Sequence, residues 1–224
     1  MLHVFSVVYD PMPDLKQTAL QLFRHTLAAI DIPATMLRKL AREGSHIRVG
    51  GATIDLASFE RIRAVAIGKA SVAMACGLAE MLSPAFRAEG IVVSPTLTKS
   101  APPGFRAIVA GHPVPNAGSF TAGHAILDLL ATMDERTLIF FLLSGGGSAL
   151  VEQPLDTAVG LADMQALNRL LVTCGASIDE MNTVRKHFSA VKGGRLAVAA
   201  STAMKTMSIF ARASATSRCR SRIG

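Results

Sequence analysis

Three short stretches carry residue types suited to handling an anion. Ser144–Ser148 reads Ser-Gly-Gly-Gly-Ser and follows the apolar run Leu138–Leu143. Consecutive glycines permit positive φ and let a ligand lie against backbone amides with no Cβ between. A helix opening just after such a turn offers unpaired N–H groups and the positive end of its dipole. Gly145, Gly146 and Gly147, flanked by Ser144 and Ser148, therefore read as a phosphate or carboxylate cradle, or else as a tight turn that holds nothing. Gly68-Lys69-Ala70-Ser71 follows the apolar Val65-Ala66-Ile67. Lys69 can reach phosphate oxygens as a point charge, with Gly68 and Ser71 beside it, while a cation at a helix start is otherwise mildly unfavourable. The third stretch is Asn182, Arg185, Ser189 and Lys192, spaced i, i+3, i+7, i+10 on one helical stripe. That stripe borders the apolar Met181, Val184, Phe188 and Val191 and would line a cleft. Arg185 and Lys186 suit an anionic ligand there, and a solvated basic face is the plain alternative.

A fourth stretch, Gly111-His112-Pro113-Val114-Pro115-Asn116, is stiffened by two prolines and reads as a rigid connector. Asn116 or Ser119 can cap the helix that follows, and His112 is the side chain in it that could face a ligand. Standard nucleotide motifs are absent. The Ser144–Ser148 loop has no lysine at the Walker position, and the sixth residue from Gly145 is Leu150, which breaks Gly-x-Gly-x-x-Gly. Cys76, Cys174 and Cys219 are widely spaced, with no Cys-x-x-Cys, and the six histidines form no i, i+4 pair. Neither a zinc site nor a disulfide framework is indicated, and the thiols suit a reducing cytoplasm.

The elements that must position these residues alternate. Leu15–Ile30 has helical apolar spacing with Asp14 as N-cap, and Pro33 opens a helix to about Glu43. Ile47–Val49 and Thr53–Leu56 flank Gly50-Gly51 as a small hairpin. Strands are predicted at 64–67, 90–93, 107–110 and 138–143, with helices over 69–82, 118–133, 156–173 and 178–200; Gly193-Gly194 marks a bend or end in the last. Such alternation argues an α/β fold: a mostly parallel sheet with helices on both faces. Ligands of such sheets gather at the carboxyl ends of the strands, where the glycine-rich turns fall.

Half of the 224 residues are hydrophobic, enough for a substantial core. No apolar run approaches the ~18 residues of a membrane helix, so no membrane partner is expected. Met1–Asp10 lacks a basic region or cleavage-like site, so no signal peptide is expected. The net charge of +7 is uneven: residues 201–224 carry five basic residues and no acid, leaving the first 200 nearly balanced. A near-neutral body with a basic tail argues against nucleic acid as a partner.

Taken in series, Ala66–Ser71, Gly111–Gly118, Leu143–Leu150 and Asn182–Leu196 resemble the glycerate 2-kinase family, which moves phosphate from ATP to the 2-hydroxyl of D-glycerate. The resemblance covers most of residues 15–200. It implies a two-domain enzyme whose cleft lies between a Rossmann-like N-terminal domain, residues 1–200 here, and a C-terminal domain. On that resemblance Lys69 and Arg185 take catalytic roles. Gly68, Ser71, Ser144, Gly145, Gly146, Gly147, Ser148, Asn182, Lys186 and Lys192 bind substrate or phosphates, with ATP and Mg2+ as the implied cofactors. Some members carry a hydroxypyruvate reductase label, against which the missing dinucleotide fingerprint stands. A phosphate-binding α/β module without chemistry is the other alternative.

After Leu196 the family continues through a strand into an acidic Ser-Asp-Val-x-Gly-Asp-Asp motif and a second domain. Here the chain runs Ser201–Gly224, with no acid after Glu180. The expectation is a basic, non-family segment from 201, frameshifted or disordered, in a truncated kinase that lacks at least one sheet strand and the metal-binding acids. The missing acids and cleft wall then predict impaired activity, and exposed edges and apolar faces predict poor solubility or self-association into a homo-oligomer. Translating the downstream DNA in the other frames tests the frameshift.

Overall fold

The computed structural model describes residues 14–49, 51–203, 205–210 and 220–221. The expectations for Met1–Asp10, Cys219 and most of the basic tail lie outside them. The chain divides into two units, residues 1–31 and 32–224. The first holds helix α1 (Leu15–Ala29), capped by Asp14, whose Oδ1 accepts from the amides of Lys16 at 2.9 Å and Gln17 at 3.4 Å.

The second unit opens with α2 (Ile32–Lys39), which stops short of the expected Glu43. Ala41–Glu43 is instead strand β1, paired antiparallel with β2 (His46–Val49), and β3 (Ala52–Asp55) completes a three-stranded meander. Gly44, at φ +61°, makes the reversal that helical spacing alone did not reveal.

The larger sheet has the order β6-β5-β4-β7-β8-β9. β4 (Arg61–Ile67), β5 (Ala88–Ser94), β6 (Phe105–Val109), β7 (Thr137–Leu143) and β8 (Lys205–Phe210) are parallel, and the two-residue β9 (Arg220–Ser221) is antiparallel. Strand residues alternate between two cores. Ala64, Ala66, Leu138, Phe140 and Leu142 face Met74, Leu78 and Leu82 of α3 (Ser71–Leu82). Val65, Ile67, Ile139 and Phe141 share the other core with Ala122, Ile126 and Leu130 of α4 (Ala117–Ala131). The α/β architecture with helices on both faces is therefore as the sequence indicates.

The chain beyond the expected boundary at 200 includes β8, which pairs with β7 from Leu138↔Lys205 to Leu143↔Phe210. Two expectations need correction. The helix expected from Asp156 begins at Leu161, as α6 (Leu161–Thr173). The helix expected over 178–200 is two: α7 (Ile178–Phe188) and α8 (Arg195–Ala199). Between them Ser189 is extended, at φ −112° and ψ 131°, and bridges Pro154, while Gly193 and Gly194 both take positive φ.

Candidate functional site

Chain order fixes where a ligand can bind. From β4 the chain moves to β5 on one side, whereas β7 lies on β4's other side. The turns leaving the carboxyl ends of β4 and β7 thus diverge and leave a crevice between them, the usual ligand position in open α/β sheets. The β4 turn is Gly68–Ala70 and the β7 turn is Ser144–Gly146, leading into the single helical turn α5 (Gly147–Leu150). With four residues, α5 adds little dipole, so any cradle rests on the loop's own amides.

The two turns are laced together. Ser144 Oγ accepts from the amide of Ala70 at 3.0 Å and donates to the carbonyl of Ile67 at 3.3 Å; the amide of Lys69 donates to the carbonyl of Gly145 at 3.0 Å. Gly68, at φ +125°, is obligatory, because a Cβ there would lie 2.1 Å from Ser144 Oγ. Ser144 is accordingly a brace between turns, with its hydroxyl already used. Ser71, expected among the phosphate-binding residues, is fully enclosed, and its Oγ has no partner among the described residues.

What faces outward is the rest of the loop. The amides of Gly145 and Gly146 donate to no described residue, and the space over Gly145 is open. Gly146 is left-handed, at φ +91°. Ser148 is exposed, and Lys69 is exposed with no ion pair to any described residue. Over Gly146 sit His112, after β6, and the Lys69 stem: a Cβ built there would be 3.0 Å from His112 Nε2 and 3.6 Å from Lys69 Cε. The sequence-predicted Lys69, Gly145, Gly146, Gly147 and Ser148 thus gather at one place, joined by His112, which the sequence places in a rigid connector as a side chain that could face a ligand.

The expected stripe does not form, because its members lie on either side of the break at Ser189. Asn182 and Arg185 remain on α7, half-buried, while Lys186 is exposed with its stem 3.4 Å from where a Gly193 Cβ would be. Lys192 and Ser189 turn inward to Glu152, a residue sequence reading missed. The Lys192 ammonium is paired with Glu152 Oε2 and donates to the Val151 carbonyl at 3.1 Å. Glu152 Oε1 accepts from Ser189 Oγ at 2.6 Å and from the amide of Gln153 at 3.2 Å. The Lys192 and Glu152 side chains are 12% and 2% exposed, and burial holds the Lys192 pKa below its usual value, opposed by Glu152 and reinforced by Arg185. Lys192 is thus committed to a buried pair, a placement that corrects its expected phosphate contact. An acid directly after the apolar Ala149-Leu150-Val151 is the sequence signal that could have found Glu152.

Comparison with known proteins bears on this arrangement. A family model described as "Domain of unknown function (DUF4147)" matches residues 18–211. The chain belongs to the DUF4147 family. The match runs past residue 200 and takes in β8. Among relatives of this DUF4147 chain, the D-glycerate 2-kinase of Thermotoga maritima is 36% identical over 191 residues, 85% of this chain and 42% of that protein. A putative hydroxypyruvate reductase of Agrobacterium vitis is 42% identical over 137 residues, 61% of this chain and 31% of the relative. A crystal structure of glycerate kinase from Thermotoga maritima superposes with a TM-score of 0.67 at 34% identity, covering 89% of this chain and 44% of that one. The DUF4147 chain therefore spans about two fifths of the length of the curated kinases it matches.

Proposed function

We propose that the protein is an ATP-dependent glycerate 2-kinase, and that this chain supplies the Rossmann-like, N-terminal side of its site. The observation that carries the reading is the meeting of Lys69 with the Gly145 and Gly146 amides, which donate to no described residue, at the switch point between β4 and β7, within a fold matched by glycerate kinases. The bond that forms joins the 2-hydroxyl oxygen of D-glycerate to the γ-phosphorus of ATP. The bond that breaks releases ADP, and the hydroxyl proton goes to solvent or to a neighbouring base. Such transfer asks for positioning and charge neutralisation rather than covalent chemistry by the protein. Lys69 and the loop amides meet the phosphoryl oxygens; Ser148, Asn182, Arg185 and Lys186 are the remaining groups available to line the cleft. Gly68 and Ser144 support the loop from behind.

Mg2+ fits this part of the protein poorly. Among the described residues no three Asp, Glu, His or Cys gather, and Glu152 is held by Lys192 and Ser189. No step is therefore routed through a metal here. Among the described residues no helix is long and apolar enough to cross a membrane, and a cytoplasmic setting accords with the thiol pattern. The hydroxypyruvate reductase name on the Agrobacterium vitis relative is the second reading, and the absent dinucleotide fingerprint weighs against it.

Calorimetric titration of the purified chain with ATP and with D-glycerate, beside a product assay in which enolase converts 2-phosphoglycerate to phosphoenolpyruvate, tests the reading. Enolase consumes 2-phosphoglycerate directly, so it also reports the position phosphorylated. The expected result is saturable binding of ATP or D-glycerate that Lys69→Ala weakens about tenfold, a loss of ~1.4 kcal/mol, with turnover in this chain far below that of the full-length relatives. Binding of NADH with hydroxypyruvate reduction, and none of ATP or glycerate, would replace the kinase reading with the reductase one.

A further inference from the structure

The connector Gly111–Asn116 does more than join β6 to α4. A methyl carbon built on Gly146 would lie 2.9 Å from His112 Cδ2, 3.0 Å from its Nε2 and 3.6 Å from Lys69 Cε. Imidazole and lysine stem therefore close on the same point of the glycine loop, one coming from the β6 end of the sheet and the other from the β4 end. The ring is exposed, and neither of its nitrogens bonds any described residue. Its position is imposed by the loop that carries it. The amides of Gly111 and Asn116 both donate to the buried Ser119 Oγ, at 3.2 and 3.1 Å, and the carbonyl of the buried Pro115 accepts from Gln165 Nε2 at 2.9 Å. A loop tied at its start, at its end and to α6 thus presents an imidazole beside an ammonium, over two amides, and none of these groups has a partner among the described residues.

We propose that His112 is a ligand-contacting residue of the site, its ring N–H donating to an oxyanion that Lys69 and the Gly145 and Gly146 amides hold from other sides. The division of labour follows from the groups. A lysine neutralises charge as a mobile point and fixes orientation poorly, whereas an imidazole N–H on a pinned loop is a directional donor. The ligand chemistry is a terminal phosphate of a nucleotide or the carboxylate of a small hydroxy acid. This inference rests on reading the Ser144–Ser148 loop as an anion cradle, and it adds a contact from a third strand end.

The test uses the whole chain labelled with 15N-histidine, titrated separately with inorganic tripolyphosphate and with D-glycerate. Ring nitrogens are read by NMR and affinity by calorimetry, with the His112 signals identified by their loss in His112→Gln. The expected result is that the His112 ring signals move with one probe while those of His124 and His187 stay; the probe that moves them identifies the source of the oxyanion. His112→Ala weakens that probe about tenfold, equivalent to one lost hydrogen bond to a charged group, with an unchanged melting midpoint. His112→Gln, which keeps an N–H donor, recovers part of the loss. Equal binding by wild type and His112→Ala, with the ring signals unmoved, overturns the role of His112 and leaves the cradle standing. A wild-type chain that binds neither probe overturns both.

Discussion

The Glu152–Lys192 ion pair is the most heavily buried in the described structure, and its importance shows when one partner is removed. Two charges taken from water cost more than their attraction returns unless further hydrogen bonds complete them, as Ser189, the Gln153 amide and the Val151 carbonyl do here. Losing one charge strands the other. Glu152→Gln is expected to cost about 3–5 kcal/mol in urea unfolding, and Glu152→Gln with Lys192→Met to restore most of it. The pH dependence carries the same signature. The folded chain holds the Lys192 proton less tightly than the unfolded one, whose lysine titrates near 10.5. Between the lowered pKa and that value the unfolded state binds more protons, so this residue's contribution to stability rises with pH. The wild-type urea midpoint should climb relative to Lys192→Met through the alkaline range, and parallel profiles would contradict the assignment.

At the scale of elements, the site was legible wherever glycine chemistry and strand ends coincide, and illegible where tertiary contacts override local periodicity. Gly68-Lys69 after one apolar run and Ser144–Gly147 after another mark the crevice from sequence, because diverging turns at parallel strand ends can go nowhere else. The stripe Asn182, Arg185, Ser189, Lys192 is a sound helical pattern that fails for a reason outside its own segment. Ser189 is pulled into an extended bridge with Pro154 by Glu152, some 37 positions earlier in the chain. His112 was visible as a side chain that could face a ligand, yet not as a neighbour of the Ser144–Ser148 loop, since its relation to Gly146 depends on β6 and β7 lying in one sheet. The same long-range fit explains Gly123 of α4, where a Cβ would meet the Glu152 carbonyl at 2.2 Å. Gly123→Ala must therefore lift α4 from the segment that holds the buried pair. A loss of roughly 1–3 kcal/mol or more in thermal or urea unfolding is expected, although alanine is the better helix former.

At the scale of the molecule, the described helices bury themselves unequally. α3 and α4 bury whole faces, whereas α7 buries none of its residues. Leu155, Leu170, Val172, Ile178, Phe188 and Val198, on α6, α7, α8 and the loop before them, are all at least 46% exposed. Isolated exposed leucines are ordinary on a protein surface; several large apolar side chains this exposed on three successive helices leave apolar area that another molecule can cover. A second copy can provide that cover, since burying apolar area is favourable by about 25 cal/mol per Å² whatever molecule supplies it. Sedimentation velocity over a hundredfold range of loading concentration should therefore show the weight-average mass rising with concentration. Leu170→Ser with Phe188→Ser should shift the rise to higher concentration while leaving the melting midpoint nearly unchanged, because neither side chain is part of a core. A single monomeric boundary for the wild-type chain throughout would show that these faces are tolerated in water, and the self-association drawn from them would be wrong.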